Sequence, residues 1–441
     1  MATPTLVGGE SVGSSTRPRR AVLVTGAGGF IGGALVTRLA ADPAVAVHAV
    51  YRQRPPLPAV RAPGKAAAGA GLGGGLPFPP PEGVTIHTVD VTDRAAVSAL
   101  VAAIVPAVVY HAAGVVAYHR GGRAAMEAVN VGGTVAVVEA VAAASAAAAA
   151  AVASDADGGD CSDGGDLPRP PPRLVHLSSV AALGSLGSPA DSPLTETTTA
   201  AGSGAWRPAA DGAVGYLATK RAAADVVTAA AAAGRLPGGA ILACPTTVYG
   251  YGDAAKSSRG TVVRAAAGRW PLYTSGGVNV VAIDAVIGAL IEAADVALPA
   301  GEGAVPYILG GVNLTIHQLL TAFAAAGAAV SVGTDPSVAA AAVLSSPPRS
   351  RSERVAGAPW LWLPTPLAQV LGVVGDAVGS TAVTTERVTV STRYHWYTSA
   401  RAERVLRLAP TDAASAIGAS VRYMHEAGML GGGGQEREES G

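Results

Sequence analysis

One tyrosine and one lysine stand at a spacing that supports proton transfer to or from a hydroxyl group. Tyr216 and Lys220 are four residues apart, so on a helix both side chains project from the same face. A phenol has a pKa of about 10 in water, and a neighbouring ammonium favours the phenolate and lowers that pKa. The pair suits a hydride transfer between a nicotinamide and a carbinol carbon in which the phenol exchanges the hydroxyl proton. The same spacing also occurs on ordinary amphipathic helices.

Two adjacent serines provide a third candidate group. Ser178 and Ser179 follow a predicted strand at 174–177, at the carboxyl edge where parallel sheets bind their ligands. A hydroxyl at that edge can hydrogen-bond a substrate oxygen. Without the tyrosine and lysine, the two serines would read as a turn cap.

A glycine-rich segment near the N-terminus has the spacing of a dinucleotide-binding loop. Residues 25–32 follow a predicted strand at 21–25 and open a helix. We expect Gly26 to permit a tight turn, Gly29 to let backbone approach the pyrophosphate, and Gly32 to allow close packing of helix on sheet. The helix N-terminus then faces the phosphates with its partial positive charge. The expected cofactor contacts in this loop are Gly26, Gly29, Phe30, Ile31 and Gly32.

The end of the second predicted strand, at 45–50, bears on the choice of cofactor. A carboxylate at this place would hold the adenine ribose hydroxyls of NAD. Tyr51 and Arg52 stand there instead, with Arg54 nearby. A guanidinium suits a 2′-phosphate, so the sequence predicts an NAD(P) site with a mild preference for NADP through Arg52. The alternative is that Arg52 is simply solvated.

Composition excludes several classes of function. The 441-residue chain has 31 basic and 31 acidic residues, so no net charge indicates a nucleic-acid partner. Its two cysteines, Cys161 and Cys244, fit no disulfide or metal framework, and its eight histidines are scattered. We therefore expect no metal and a reducing compartment. Residues 1–20 lack the apolar core of a secretory signal and are expected to be a flexible tail, with organelle targeting left open.

The order of predicted elements indicates the fold class. Strands at 21–25, 45–50, 84–89, 107–110, 174–177 and 240–243 alternate with helical segments, and Asp93 is the expected N-cap of a helix that runs to Ile104. Such alternation predicts an α/β fold, a Rossmann-type doubly wound parallel sheet with a smaller C-terminal substrate-binding lobe.

The domain boundaries follow from this pattern. We assign 21–245 to the NAD(P)-binding domain, with Pro- and Gly-rich insertions at 55–83 and 155–172, and 246–430 to the substrate-binding lobe. Part of that lobe, about 278–312, is expected to return to the Rossmann sheet, and 431–441 form a tail. Residues 135–153 read as a packed alanine-rich helix. Residues 360–380 are apolar but carry two prolines and Asp376, so they predict interfacial membrane contact at most.

Taken together, these motifs resemble the extended short-chain dehydrogenase/reductase family, the NAD-dependent epimerase/dehydratase superfamily. The resemblance covers residues 20–310 and lies in the segments 25–32, 90–93, 111–114, 130–134, 176–184, 216–220 and 245–250. It implies that Ser179 is the catalytic serine, Tyr216 the acid/base, and Lys220 the residue that tunes the phenol. It also implies cofactor contacts from Asp90, Val91, Ala112, Ala113, Gly114, Asn130, Tyr216, Lys220, Pro245 and Val248.

Within that family the chain is most similar to the 3β-hydroxysteroid dehydrogenase and sterol-4α-carboxylate 3-dehydrogenase group. The similarity lies in 245–253 and in the C-terminal segments 383–388 and 393–406. Cys244 replaces the arginine usual before the proline, and the tail departs from the group's pattern after Leu406. The resemblance implies oxidation of a 3β-hydroxysterol, accompanied by decarboxylation if the sterol carries a 4α-carboxylate.

Three alternatives stay open. One is an NADPH-dependent ketone reductase of the dihydroflavonol or cinnamoyl type, which Arg52 would favour. The second is a nucleotide-sugar epimerase. The third, from a different class, is a non-catalytic dinucleotide-binding subunit or scaffold, although such proteins usually lose the Tyr/Lys pair. For the lead hypothesis we expect an intracellular enzyme, cytoplasmic or peripheral on the endoplasmic reticulum, with a hydrophobic small-molecule substrate and a homodimer as one possible assembly.

Overall fold

The structure, a computed structural model, describes residues 19–55, 77–118, 120–156, 169–183, 192–196, 215–253, 259–299, 303–345, 355–380 and 383–431. In chain order the strands are β1 Arg20–Thr25, β2 Val45–Tyr51, β3 Thr85–Thr88, β4 Val108–His111, β5 Arg173–Leu177, β6 Ala240–Pro245, β7 Thr247–Tyr249, β8 Leu272–Tyr273, β9 Gly277–Ala282, β10 Ala304–Leu309, β11 Val312–Thr315, β12 Leu361–Trp362 and β13 Tyr394–His395. The helices are α1 Phe30–Ala40, α2 Arg94–Ile104, α3 Arg123–Met126, α4 Gly133–Ala156, α5 Tyr216–Ala232, α6 Arg259–Ala266, α7 Ile283–Glu292, α8 Ile316–Ser331, α9 Pro336–Ser345, α10 Thr365–Ala377, α11 Thr385–Ser391, α12 Ala400–Val405 and α13 Ala413–Glu426. A π-helix, Glu127–Gly132, joins α3 to α4.

A seven-stranded sheet forms the first layer, in the order β10-β6-β5-β4-β1-β2-β3. Every pairing in it is parallel. The strand order reverses between β1 and β4, so the carboxyl ends of these two strands open a crevice. The predicted α/β class with a parallel Rossmann-type sheet is confirmed.

Successive side chains along the strands pack into two separate cores, one on each face of the sheet. Val22 and Val24 of β1 join a cluster with α1 and α7, whereas Leu23 points to the opposite face and joins α2, α4 and α5. Because a strand directs successive side chains to opposite faces, a strand buried on both sides is apolar throughout. The sheet is therefore covered on both faces. Asp93 caps α2, accepting a hydrogen bond from the N–H of Ala96 at 3.0 Å as predicted.

A smaller lobe is built around a second sheet in the order β11-β9-β13, with β7 also paired to β9. Its core joins α6, α8 and α13 through residues such as Phe323 and Ile417, each 0% exposed. Within 278–312, β10 lies at the edge of the large sheet, whereas β9 belongs to this second sheet. The segment 246–430 is thus shared between the two layers.

The alanine-rich helix predicted at 135–153 and the apolar segment 360–380, which was predicted to make interfacial contact at most, have distinct structures. Among the described residues, the helix Arg123–Ala153 is long and apolar enough to cross a membrane, with 33% of its most apolar window buried. It packs on α2 and α5 in the core, and buried core helices pass the same length and composition test. The apolar part of 360–380 forms α10, which has 13 residues. The predicted tails, most of the insertion at 55–83 and part of that at 155–172 lie outside the described residues.

Candidate active site

The glycine loop connects β1 to α1 at the crevice. Gly26 has φ +71°, and a Cβ on it would lie 2.6 Å from the backbone of Ala112. A Cβ on Gly32 would lie 2.2 Å from the carbonyl oxygen of Gly26. Gly29 is the N-cap of α1 and makes no side-chain cap hydrogen bond. The loop therefore has the form that a dinucleotide phosphate requires, a tight glycine turn that leads directly into the N-terminus of a helix.

The predicted adenine end contains a close pair of opposite charges. Arg52 follows β2 and is exposed, and Asp90 stands after β3. The pKa of Asp90 is lowered by hydrogen bonds from the backbone and hydroxyl of Thr92, and further by the charge of Arg52. Val91 beside it is 8% exposed and packs against Gly133 at the start of α4. Arg52 and Asp90 thus lie near one another at the edge of the crevice.

A buried network of hydroxyl, imidazole and amide groups runs across the switch point. Thr134 Oγ1 donates to the carbonyl oxygen of Asn130 at 2.6 Å, so it accepts from His111 Nε2 at 3.1 Å. His111 Nδ1 then accepts from Thr25 Oγ1 at 2.8 Å. Burial, together with the charge of Lys220, lowers the pKa of His111 to about 3, which keeps the ring neutral. The network thereby fixes one tautomer of the imidazole.

Asn130 extends this network to the helix that carries the tyrosine. Its amide nitrogen donates to the carbonyl oxygen of Val115 at 2.9 Å and to Thr219 Oγ1 at 3.1 Å, and its side-chain oxygen accepts from the N–H of Val115 at 2.8 Å. Thr219 Oγ1 in turn donates to the carbonyl oxygen of Tyr216 at 3.0 Å. Asn130 lies in the π-helix, and π-helical turns of this kind are frequent at functional sites. Asn130 thus ties the β4 loop to the first turn of α5.

Lys220 points into the protein. Its side chain is 7% exposed, and Nζ donates to the carbonyl oxygen of Leu177 at 3.0 Å. A Cβ on Gly114 would lie 3.4 Å from that nitrogen and 3.3 Å from Asn130 Oδ1, so Gly114 leaves the amine accessible from the crevice. Burial lowers the pKa of Lys220 to about 8, against an opposing influence of Cys244.

Ser179 and Tyr216 form the reactive pair of hydroxyls. Their side chains are hydrogen-bonded to each other, and both residues are only partly buried. Ser178 points instead into the core at 3% exposure. Burial raises the pKa of Tyr216, and the bond to Ser179 offsets only part of that rise. The expectation of a lowered phenol pKa was therefore wrong, because desolvation outweighs the favourable interactions with the phenolate.

Cys244 lies beneath this pair at the end of β6. It is 1% exposed, and burial raises the pKa of its thiol to about 12, so it is an inert thiol. Pro245 ends β6 and Val248 is buried in β7, beside the same crevice edge. Phe30 stacks on Phe78 with ring centroids 6.3 Å apart, which places the end of the 55–83 insertion against the N-terminus of α1.

The structure adds residues that the sequence analysis did not single out. Thr25, Thr134 and Thr219 complete the network, and only their side-chain partners identify them. Tyr118 packs edge-on against Tyr216 with centroids 5.8 Å apart, and the Arg387 guanidinium lies 5.7 Å from the centre of the Tyr118 ring. Among the residues that the structure describes, no group of three or more His, Cys, Asp or Glu side chains could hold a metal ion.

These features together define a Rossmann-type dinucleotide-binding protein with the tyrosine, lysine and serine of a short-chain dehydrogenase. The glycine loop at the start of α1 and the inward Lys220 fit a nicotinamide dinucleotide. The NAD dependent epimerase/dehydratase family matches residues 22–272, more than half of the chain. The chain belongs to that family.

Solved structures share the fold at low sequence identity. The structure of gox2253 is 20% identical with a TM-score of 0.60, covering 93% of this chain and 99% of that one. UDP-glucose 4-epimerase of Thermotoga maritima, solved with UDP-glucose, is 14% identical with a TM-score of 0.57, covering 92% and 99%. WbmH of Bordetella bronchiseptica, solved with NAD+, is 14% identical with a TM-score of 0.56 and the same coverage. The comparison with curated proteins finds no match.

Proposed function

We propose that the protein is a 3β-hydroxysteroid dehydrogenase-like enzyme that oxidises a secondary hydroxyl of an apolar substrate. The observation that carries this proposal is the Ser179–Tyr216 hydroxyl pair with Lys220 buried one helical turn further along α5. A non-catalytic subunit would have no use for a lysine held in so desolvated a position.

Each of the three site residues has its own role in this reaction. Ser179 hydrogen-bonds the substrate oxygen, and Tyr216 exchanges its proton. Lys220, held by the carbonyl of Leu177, would meet the nicotinamide ribose. A bound nicotinamide dinucleotide supplies the hydride acceptor. If the substrate carries a carboxylate on the carbon next to the new ketone, the product is a β-keto acid, which loses CO₂ readily.

The apolar character of the substrate is inferred from the surface beside the site. Helix α10 presents Val370 and Val373, exposed by 59% and 61%. It packs on α11, which carries Arg387 towards Tyr118 and Tyr216. Helix α11, whose Glu386 contacts the backbone of Tyr216, thus connects this apolar surface to the catalytic helix. An apolar surface so placed suits a sterol-like ligand better than a sugar nucleotide.

A nucleotide-sugar epimerase is the second candidate, because the family includes NAD dependent epimerases and one similar structure is a UDP-glucose 4-epimerase of Thermus thermophilus in complex with NAD. In that case the same Tyr216 would move the proton, and the hydride would return to the substrate, so no reduced cofactor would accumulate. The NADPH-dependent ketone reductase rests on Arg52 alone.

The test uses purified protein with NAD or NADP and a panel of 3β-hydroxysterols with and without a 4α-carboxylate, UDP-sugars and flavanonols. Reduced nicotinamide is followed by absorbance, and UDP-sugars are analysed for epimers. Tyr216→Phe should reduce turnover by about 10²-fold or more because it removes the acid/base. Tyr273→Phe, in which the ring keeps its place against His317, is the matched control and should behave as the wild type. Tight cofactor binding without turnover of any panel member would favour the scaffold.

A further inference from the structure

A carboxylate from the C-terminal part of the chain sits on the first residue of the catalytic helix. Helix α5 begins at Tyr216, whose backbone N–H donates a hydrogen bond to the side chain of Glu386 in α11. Gly215 precedes the helix with φ +86°, and a Cβ on it would lie 2.8 Å from Glu386 Oε2. The glycine therefore allows the carboxylate to reach the helix end, where no side chain of α5 itself acts as a cap.

The surroundings of Glu386 are unusual for a helix cap. Its Oε1 is buried and has no hydrogen-bond partner within the described part of the chain. Burial raises the pKa of Glu386 to about 7, although the N–H of Tyr216 and the charges of Arg123 and Arg387 act in the opposite direction. Asp376 of α10 adds to the rise. The carboxylate is therefore desolvated, and its nearest charged neighbours do not compensate for that.

A second helix shows what an ordinary cap does. Asp412 precedes α13 and accepts hydrogen bonds from the N–H groups of Ala414 and Ser415. Its pKa is lowered, chiefly by the hydroxyl of Ser415, so ionised Asp412 stabilises the folded protein. Glu386 has the opposite shift. Its contribution to stability is present below a pH of about 4.5, the pKa of the unfolded state, and is lost as the pH rises through about 7.

Glu386 therefore differs from an ordinary cap: Gly215 opens its path to the end of a helix that belongs to another part of the chain, and its Oε1 is buried without a partner among the described residues. We propose that Glu386 is a positioning residue: its carboxylate anchors the first turn of α5 and so fixes the tyrosine against Ser179. The inference rests on the proposed function, since it presupposes that Tyr216 is the acid/base. Helix α11 reaches the phenol by a second route as well, through Arg387 and Tyr118. Protonation of Glu386 weakens the anchor, because a neutral carboxyl accepts a weaker hydrogen bond than a carboxylate.

The variants to compare are Glu386→Gln, which keeps the shape without a titrating charge, Glu386→Ala, and the control Asp412→Ala. Hydrogen exchange followed by mass spectrometry reports on the peptide that contains Tyr216 without any substrate. We expect both Glu386 variants to exchange faster in that peptide, and Asp412→Ala to leave it unchanged while exchange near α13 increases.

Thermal unfolding separates positioning from capping. Relative to the wild type, Glu386→Gln should gain a few degrees in Tm between pH 5 and pH 8, because it lacks the desolvated charge. Asp412→Ala should have a lower Tm than the wild type at both pH 5 and pH 8. With a substrate from the panel, Glu386→Gln should lower kcat roughly ten-fold at pH 8 with little change in KM. The inflection near pH 7 in the profile of kcat against pH should also disappear. Conservative substitution then gives a more stable and less active enzyme.

Two results would overturn the inference. One is a rate of hydrogen exchange in the Tyr216 peptide of Glu386→Gln that equals the wild-type rate. The other is an unchanged pH profile with unchanged kcat. If Tyr216→Phe abolishes turnover while Glu386→Gln behaves as the wild type, only the positioning role fails. If Tyr216→Phe is fully active, the proposed function fails first. Should Glu386→Ala not fold, Glu386→Gln still decides the matter.

Discussion

At the scale of single residues, burial decides the protonation states in the site. It raises the pKa of Tyr216 and lowers that of Lys220 to about 8, so each group is shifted towards its neutral form. His111 is neutral and held between two threonine hydroxyls. Because these groups are buried, the placement of each proton in the site depends on its hydrogen bonds.

Arg52 provides a prediction at this scale. Arg52→Asp should weaken NADPH binding at least ten-fold more than NADH binding, because a guanidinium favours the 2′-phosphate and a carboxylate repels it. Fluorescence titration with both reduced cofactors measures the two affinities. Arg38→Asp, at an exposed position in the last turn of α1, controls for the change in charge. Equal losses for the two cofactors would remove the argument for NADP.

At the scale of secondary-structure elements, backbone contacts determine the conformation of the glycine loop. Gly26 combines a left-handed φ with contact against the chain at Ala112, where β4 ends. The loop is thus held between two strands at the switch point, and a side chain there would have to move one of them. Its shape is a property of the pair β1 and β4.

Gly26→Ala and Gly83→Ala test this explanation as a matched pair. Both glycines have positive φ, but nothing lies within 4 Å of a Cβ on Gly83. We expect Gly83→Ala to cost about 1–2 kcal/mol of unfolding free energy from the backbone alone. Gly26→Ala should cost more and also weaken NADH binding, since the Ala112 backbone must shift. Chemical denaturation and NADH titration measure both effects. Similar losses in the two variants would show that the contact with Ala112 is unimportant.

At the scale of the whole molecule, the C-terminal lobe contacts the catalytic helix through α11 and presents an apolar face. Helix α10 packs its small residues Gly372 and Gly375 against the segment around α11, and its larger side chains face outwards. Trp360 and Trp362, before this helix, are exposed by 62% and 52%. Exposed tryptophans beside an apolar helix are typical of contact with a membrane interface. We propose peripheral membrane contact through this face.

A double substitution, Val370→Asp with Val373→Asp, tests the membrane contact. The variant should fold normally, because both side chains are exposed, and should lose co-sedimentation with phosphatidylcholine and phosphatidylserine vesicles. Val332→Asp changes a valine that is even more exposed, at 76%, next to the end of α8, and this variant should bind vesicles as the wild type does. The proposal is wrong if the wild-type protein itself remains in the supernatant.

The local patterns of the chain were sufficient for its fold class and its family. The glycine loop between a strand and a helix, the Asp93 cap and the alternation of apolar strands with helices each depend on residues close in sequence. Such patterns survive in a sequence because the same local geometry recurs wherever they occur. The preference for sterols has no such local signature, and it stays a proposal.

Tertiary structure alone decided which distant residues meet. Glu386 and Tyr216 are far apart in the chain, as are Thr25 and His111, and nothing in their spacing predicts that they touch. The same is true of the upward shift in the pKa of Tyr216: the sequence displayed the lysine four residues away but not the burial of the phenol, which outweighs its hydrogen bond with Ser179. Desolvation depends on everything that packs around a group, so it is settled only when the chain has folded.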